Sequence, residues 1–200
     1  EGEALAAHGI DFEVVPGISS AIGGLAYAGI PVTHRGIATS FHVITGHRQE
    51  DGDLDFATYA KLKGTLVFLM GIGRIRYICD GLLQHGMDAH TPAAIVHRAS
   101  TSYQKTVTGT LATLADMAAQ SGIAPPGLIV IGEVVRKRDK LNFFETKPLF
   151  GKRILVTRAR AQSSRLVADI AALGGLPIEM PMIEVRPINC EALAAEIGRL

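Results

Sequence analysis

Hydrophobic residues in the first three quarters of the chain follow two alternating patterns. Short apolar runs rich in β-branched residues predict strands, and the longer stretches between them have helical composition. This alternation is typical of an α/β domain in which helices cover a sheet. The predicted strands are Phe12–Val15, Phe41–Thr45, Thr65–Leu69, Ala93–His97, Lys105–Thr108 and Leu128–Gly132. The predicted helices are Ser20–Ala28, Phe56–Leu62, Arg74–His85 and Leu111–Ala119.

A second pattern begins after a polar, basic stretch that ends at Pro148. It predicts a strand (Ile154–Thr157), a helix (Ser163–Leu173), a second strand (Pro177–Met180) and a final helix that runs to Leu200. Strand, helix and strand in this order are typical of a parallel sheet. We therefore expect one domain over residues 1–147 and a second, partial parallel α/β domain over residues 148–200, too short to close its own core.

Composition places the chain among globular proteins, with 48% hydrophobic residues, 20% charged residues and a formal net charge of +1. No apolar run approaches the roughly 20 residues that cross a bilayer, so we expect no membrane partner. The near-neutral charge gives no reason to expect a nucleic-acid partner. The opening residues EGEALAAHG have the pattern of the middle of an amphipathic helix, so we expect the natural N-terminus to lie upstream of Glu1.

Cysteine and histidine usage indicates neither disulfides nor bound metal. Cys79 and Cys190 lie far apart and in no CxxC arrangement. The seven histidines form no HxxxH or HExxH pair. We therefore expect no metal site and a cytoplasmic location, where thiols stay reduced.

Three loops that follow predicted strands could meet a ligand, because ligands of open α/β sheets collect where strands end and helices begin. The first contains Pro16-Gly17 and Ser19-Ser20, and its alternative role is simply to cap the next helix. The second, Met70-Gly71-Ile72-Gly73, has a lone GxG, which is a weak signal on its own. The third is Arg98-Ala99-Ser100-Thr101, which is small and polar.

Five motifs resemble, in order and spacing, the C-terminal half of uroporphyrinogen-III C-methyltransferases of the tetrapyrrole methylase family. They are VVPGISSAIGGLAYAGIPVTHRG from Val14, TGH from Thr45, GTLVFLMG from Gly64, AAIVHRASTSYQKTVTGTL from Ala93 and GLIVIGEVV from Gly127. The chain departs from that family at Ser20 and Gly127, where alanine is commoner. The resemblance implies a two-domain α/β enzyme that holds S-adenosyl-L-methionine between its domains and commonly forms a homodimer.

The resemblance also assigns roles to individual residues. It implies cofactor contacts at Ser19, Ser20, Met70 and Ala99, the last through its backbone; the alternative for Met70 is ordinary packing at a strand end. It places the family's GPGD loop and its proposed acid and base upstream of Glu1, so no catalytic residue is expected in this chain. For the 200-residue chain alone we therefore expect weak or absent cofactor affinity and no turnover.

The expected substrate, uroporphyrinogen III, carries eight carboxylates, which calls for cationic partners. By analogy with the family, Arg35 is a candidate contact, and the alternative is a surface loop held by local hydrogen bonds. His47, in the TGH motif, could face the substrate or cap a turn.

Residues after Pro148 resemble the start of uroporphyrinogen-III synthases, in the run PLFGKRILVTRARAQSSRLVADIAALGGLPIEMPMIEVRPI. That resemblance implies a chain in which the methyltransferase is fused to the enzyme that makes its substrate, with Thr157, Arg158 and Ser163 near the anionic bilane. Three functions thus compete: C-methylation of uroporphyrinogen III to precorrin-2, cyclisation of hydroxymethylbilane, and noncatalytic ligand binding.

Overall fold

The computed structural model describes residues 1–46, 54–184 and 197–198, apart from the side chains of residues 160–162. Two compact units divide the chain, Glu1–Phe144 and Glu145–Leu200. The assignment of residues 1–147 and 148–200 to two functional domains stays a prediction.

The first unit combines six helices and five strands in its described part. The helices are α1 (Gly2–Ala7), α2 (Ser20–Tyr27), α3 (Phe56–Tyr59), α4 (Ile75–Gln84), α5 (Leu114–Ser121) and α6 (Arg138–Leu141), with short 3-10 helices at Ile72–Arg74 and Glu133–Lys137. The strands are β1 (Phe41–Thr45), β2 (Thr65–Leu69), β3 (Pro92–His97), β4 (Lys105–Thr110) and β5 (Gly127–Ile131).

The five strands form one mixed sheet in the order β1-β2-β5-β3-β4. Strands β1 and β2 are parallel, whereas β5 runs antiparallel to both of its neighbours, β2 and β3. Strands β2 and β3 therefore point the same way, and β5 begins between the points where they end. This edge of the sheet brings three loops together.

Alternate side chains of the central strands enter two separate cores, as the period of two in a pleated strand requires. In β3, Ala93 and Ile95 pack on one face with α4 and α5. On the other face, Ala94 and Val96 pack with α2 and residues near Ile30. Both faces of the sheet are thus covered by apolar residues, as the apolar strands predicted.

The predicted strand Phe12–Val15 is wrong. Residues 10–19 carry no strand assignment, and Val14 and Val15 are 75% and 84% exposed. A β-rich run becomes a strand only when another strand pairs with it, and within the described residues none pairs with this one.

The other predicted elements of this unit are present, and two of them, β1 and β2, have the predicted bounds. Helix α5 begins three residues later than predicted, at Leu114. A turn causes the delay, because the Thr110 N–H donates to Thr113 Oγ1 at 3.0 Å while Leu111 is already buried.

The second unit contains a strand–helix–strand element, β6 (Arg153–Val156), α7 (Arg160–Ala172) and β7 (Leu176–Glu179). Strands β6 and β7 are parallel, as predicted. Ser163 is 1% exposed, and its hydroxyl donates to Glu179 Oε2 at 2.9 Å, joining helix to strand. Most of the predicted final helix lies outside the described residues. Across the part of the chain that the structure describes, no helix is long and apolar enough to span a bilayer.

Candidate functional site

A cavity of about 1010 Å³ lies at the sheet edge where β2 and β3 end and β5 begins. Its size suits an organic ligand, since such sites commonly enclose about 300–1,000 Å³. The cavity is lined by Ser20, Leu69, Met70, Ile72, Gly73, Val96, Arg98, Ala99, Thr101, Pro125, Pro126, Gly127 and Leu128. All three loops singled out from the sequence contribute to it.

Three non-glycine residues beside this cavity have a positive φ: Met70 (54°), Arg98 (45°) and Ser100 (65°). They are the only such residues in the described part of the chain. A left-handed conformation costs a residue with a side chain roughly 1–2 kcal/mol. Such conformations cluster at binding and catalytic sites, where the surrounding structure holds them.

Helix α2 forms one wall of the cavity. Ser19 caps its N-terminus, with the hydroxyl accepting the Ala21 N–H at 3.3 Å, and Ser20 lines the cavity. One turn further on, a Cβ on Gly24 would lie 3.1 Å from Cβ of Ala99 and 3.0 Å from Cδ2 of Leu128. Glycine at this position therefore lets α2 pack closely against the loop after β3 and against β5.

Two glycines join the loops that follow β1 and β2. The Gly46 N–H donates to the Leu69 carbonyl at 2.6 Å. A Cβ on Gly46 would lie only 2.6 Å from Cα of Gly71, so no side chain fits between the two backbones. Gly46 of the TGH motif and Gly71 of the GTLVFLMG motif thus permit this close backbone contact.

Gly127 explains one departure from the pattern of uroporphyrinogen-III C-methyltransferases. A Cβ at this position would meet two Ile72 side-chain carbons and the Val96 carbonyl oxygen, each at 3.2 Å. That spacing is tighter than most real Cβ contacts, so alanine here requires small movements of its neighbours. Glycine lets Ile72 and Val96, which both line the cavity, keep their observed positions.

The lining is chemically simple. Among the described residues around the cavity, Arg98 is the one charged side chain, and no Asp, Glu, His or Cys lines it. No group of three or more metal-ligating side chains occurs in the described parts of the chain. These walls can hold an apolar ring and an anionic group, while proton transfer would need residues other than these.

The structure brings Ser20, Met70 and Ala99 together around one cavity, with Ser19 adjoining as the helix cap. Met70 lines the cavity and is 66% exposed in this chain. Arg35 does not line the cavity; it lies exposed within the tight turn closed by the His34 and Ala38 backbones, and its carbonyl contacts His34 Nδ1 at 2.8 Å. His47 lies outside the described residues. The binding roles of all these residues stay predictions.

Sequence reasoning missed Pro125 and Pro126, which line the cavity beside Gly127. The Pro126 carbonyl accepts the Arg98 N–H at 3.2 Å and so joins the start of β5 to the loop after β3. The signal was present as a Pro-Pro pair immediately before an apolar strand. The sequence carries no corresponding signal for the positive φ values of Met70, Arg98 and Ser100, because these residue types rarely adopt such values.

Several known proteins are similar to this chain in sequence. The sequence model of the family described as Tetrapyrrole (Corrin/Porphyrin) Methylases matches residues 1–115. The Porphyrin biosynthesis protein HemD of Ruminiclostridium josui is 44% identical over 190 residues, which cover 94% of this chain and 38% of that protein. The Siroheme synthase of Stutzerimonas stutzeri (strain A1501) is 47% identical over 153 residues, covering 76% of this chain and 33% of that protein.

A solved structure shows the same fold. The uroporphyrin-III C-methyl transferase of Thermus thermophilus, complexed with S-adenyl homocysteine, superposes with a TM-score of 0.57 and 40% sequence identity. The superposition covers 66% of this chain and 57% of that one. The chain thus spans little more than a third of the length of the curated relatives above and just over half of the solved neighbour. Because the family model matches more than half of the chain, this protein belongs to the tetrapyrrole (corrin/porphyrin) methylase family.

Proposed function

We propose that the cavity at the ends of β2 and β3 binds the adenosyl part of S-adenosyl-L-methionine. Met70 offers a polarizable, exposed surface to the adenine, and Ala99 is small enough to let the ligand approach its backbone. Ser20, the first residue of α2, lines the same cavity. The lining fits such a ligand, because it is largely apolar and two loops that contain residues of positive φ converge on it. The S-adenyl homocysteine complex of the Thermus thermophilus relative supports this assignment.

The reaction that we propose is C-methylation of uroporphyrinogen III to precorrin-2, a step of sirohaem and cobalamin synthesis. The cofactor supplies an activated methyl group when bound. The residues described here bind and orient it, and the apolar walls limit access of water to it. Arg35 and His47 are proposed to meet substrate carboxylates, with Arg suited to bidentate contact. We expect the acid and base of the reaction outside the cavity lining, since no Asp, Glu, His or Cys is among its described residues.

A second candidate function rests on the unit Glu145–Leu200, as the beginning of a uroporphyrinogen-III synthase. Its β6–α7–β7 element is parallel, as the synthase resemblance implies. The match to the HemD protein covers 94% of this chain and so extends into this unit. In this proposal the two activities share one polypeptide, and Thr157 and Arg158 lie in the exposed loop after β6. A noncatalytic, ligand-binding role remains the third alternative.

An activity assay tests the leading proposal. The full-length product of the gene is incubated with uroporphyrinogen III and S-adenosyl-L-methionine, and precorrin-2 is followed as its oxidised, fluorescent product. We expect turnover in the wild type. We expect Met70→Ala to raise the cofactor KM about three- to tenfold, or about 0.7–1.4 kcal/mol, because the ligand would cover part of an exposed side chain whose full burial is worth roughly 1.5–3 kcal/mol.

The matched control is Met180→Ala, since Met180 is 51% exposed in the second unit and distant in sequence from the cavity. Neither variant should change the melting temperature noticeably, because exposed side chains contribute little to stability. Folded wild-type protein without methyl transfer would overturn the proposed activity. An unchanged cofactor KM in Met70→Ala would remove Met70 from the site.

A further inference from the structure

Gln104 is a buried polar residue that does not itself line the cavity. It lies just before β4 and is 4% exposed. Its side chain makes hydrogen bonds in two directions, to two different walls of the cavity. Burial of a polar group costs free energy unless the group is hydrogen-bonded, so these bonds stabilise the buried carboxamide in its position.

The first bond holds the loop after β3. The Gln104 side-chain oxygen Oε1 accepts the Ser100 N–H at 2.7 Å. Ser100 and Arg98 both have positive φ, and Ala99 lies between them. A loop with two such residues needs fixed partners to hold its conformation, and this bond is one of them.

The second bond reaches helix α2. The Gln104 Nε2 donates to the Tyr27 carbonyl at 3.2 Å. Tyr27 is the last residue of α2, where helix carbonyls lack partners within the helix. The same helix carries Ser20 at its other end and contacts Ala99 through Gly24.

We propose that Gln104 is a positioning residue for the cofactor cavity, which sets the loop of Ala99 against helix α2 and thereby the spacing of Ala99 and Ser20. The carboxamide is suited to this role because it accepts with one atom and donates with the other. A carboxylate would keep the bond to Ser100 but could not donate to Tyr27. A methionine, similar in length, would lose both bonds. The identification of S-adenosyl-L-methionine as the ligand of this cavity rests on the proposed function.

The test uses the full-length product of the gene, labelled with ²H and ¹⁵N, in four forms: wild type, Gln104→Met, Gln104→Glu and Gln120→Met. Gln120 is the matched control, an exposed glutamine on α5. Two quantities are measured well below the melting temperature: the hydrogen-exchange rate of the Ser100 amide, and the dissociation constant for S-adenosylhomocysteine from an NMR titration.

We expect the Ser100 amide to be protected in the wild type and in Gln120→Met. In Gln104→Met it should exchange about tenfold faster or more, and the affinity for S-adenosylhomocysteine should fall at least about fivefold, in line with the loss of buried hydrogen bonds. In Gln104→Glu the Ser100 protection should persist while the affinity still falls, because only the bond to α2 is lost. A merely structural role would lower the melting temperature and leave the affinity of the folded protein unchanged.

The outcomes separate the two proposals. If the wild type does not bind S-adenosylhomocysteine, the proposed function of the cavity fails, and the Ser100 exchange rates still test the positioning role. Rapid exchange of Ser100 in the wild type, or equal affinities in Gln104→Met and Gln120→Met, would overturn the positioning role. Should Gln104→Met not fold, Gln104→Glu and the wild-type exchange rate decide the question.

Discussion

At the scale of single residues, the backbone next to the cavity is the most informative feature. Met70, Arg98 and Ser100 adopt a conformation that ordinarily favours glycine. Met70 and Ala99 were singled out from a family resemblance, and their cavity was not visible in the sequence. Their position after predicted strands singled out the loops that line the cavity, whereas the backbone conformation of the loop after β3 depends on side-chain hydrogen bonds such as the one between Gln104 and Ser100.

Cys79 gives a prediction that depends on burial alone. It lies on α4, is 1% exposed, and burial raises the pKa of its thiol to about 11. Because only the thiolate reacts, native protein at pH 8 should leave Cys79 unmodified by iodoacetamide, and unfolded protein should label it. Peptide mass mapping distinguishes Cys79 from Cys190. Rapid native labelling of Cys79 would contradict its burial in the core.

The same shift has a consequence for stability at high pH. The unfolded thiol loses its proton near its ordinary pKa, whereas the folded one keeps it until about pH 11. Between these values the folded state binds more protons, so this group makes stability fall as pH rises. A Cys79→Ser variant, measured by denaturant unfolding from pH 8 to 10.5, should lose part of that slope.

At the scale of elements, the sequence predicted strands and helices correctly where the local pattern of apolar residues matched the pairing and packing of the fold. Strand β2 has its predicted bounds and is buried along its length except at Leu69, whereas β1 has its predicted bounds through parallel pairing with β2, with only Ile44 buried. Phe12–Val15 has an equally β-rich pattern and is not a strand, because within the described residues nothing pairs with it. A β-rich pattern alone therefore does not make a strand; a second strand, distant in sequence, must also pair with it.

The close contact between Gly46 and Gly71 provides the test at this scale. Gly46→Ala would place a Cβ 2.6 Å from Cα of Gly71, so the loops after β1 and β2 must separate. We expect a loss of about 1–3 kcal/mol in the free energy of unfolding, as for other overpacked sites. Chemical denaturation measures it.

Gly73→Ala is the matched control, since a Cβ at Gly73 meets nothing within 4 Å. Its free energy of unfolding should stay within about 0.5 kcal/mol of the wild type. Equal stabilities for the two variants would show that the loops after β1 and β2 do not approach as described.

At the scale of the whole molecule, the chain contains two units with different architectures, a five-stranded mixed sheet and a parallel strand pair. The α/β class followed from the alternation of patterns along the chain. The order of strands did not, because placing β5 between β2 and β3 requires long-range pairing that no local signal encodes. That order creates the cavity, since it brings the loops after β2 and β3 to either side of Gly127.

The central claim is that this cavity receives the adenosyl part of the cofactor. The direct measurement is a titration of the full-length, ²H,¹⁵N-labelled product of the gene with S-adenosylhomocysteine to about 5 mM, a range in which even a millimolar dissociation constant is visible. Within residues 1–200 we expect saturable shifts centred on the amides of Ser20, Met70, Ala99 and Gly127. Saturable shifts centred elsewhere within these residues, or no shifts in folded protein at the highest concentration, would contradict the claim.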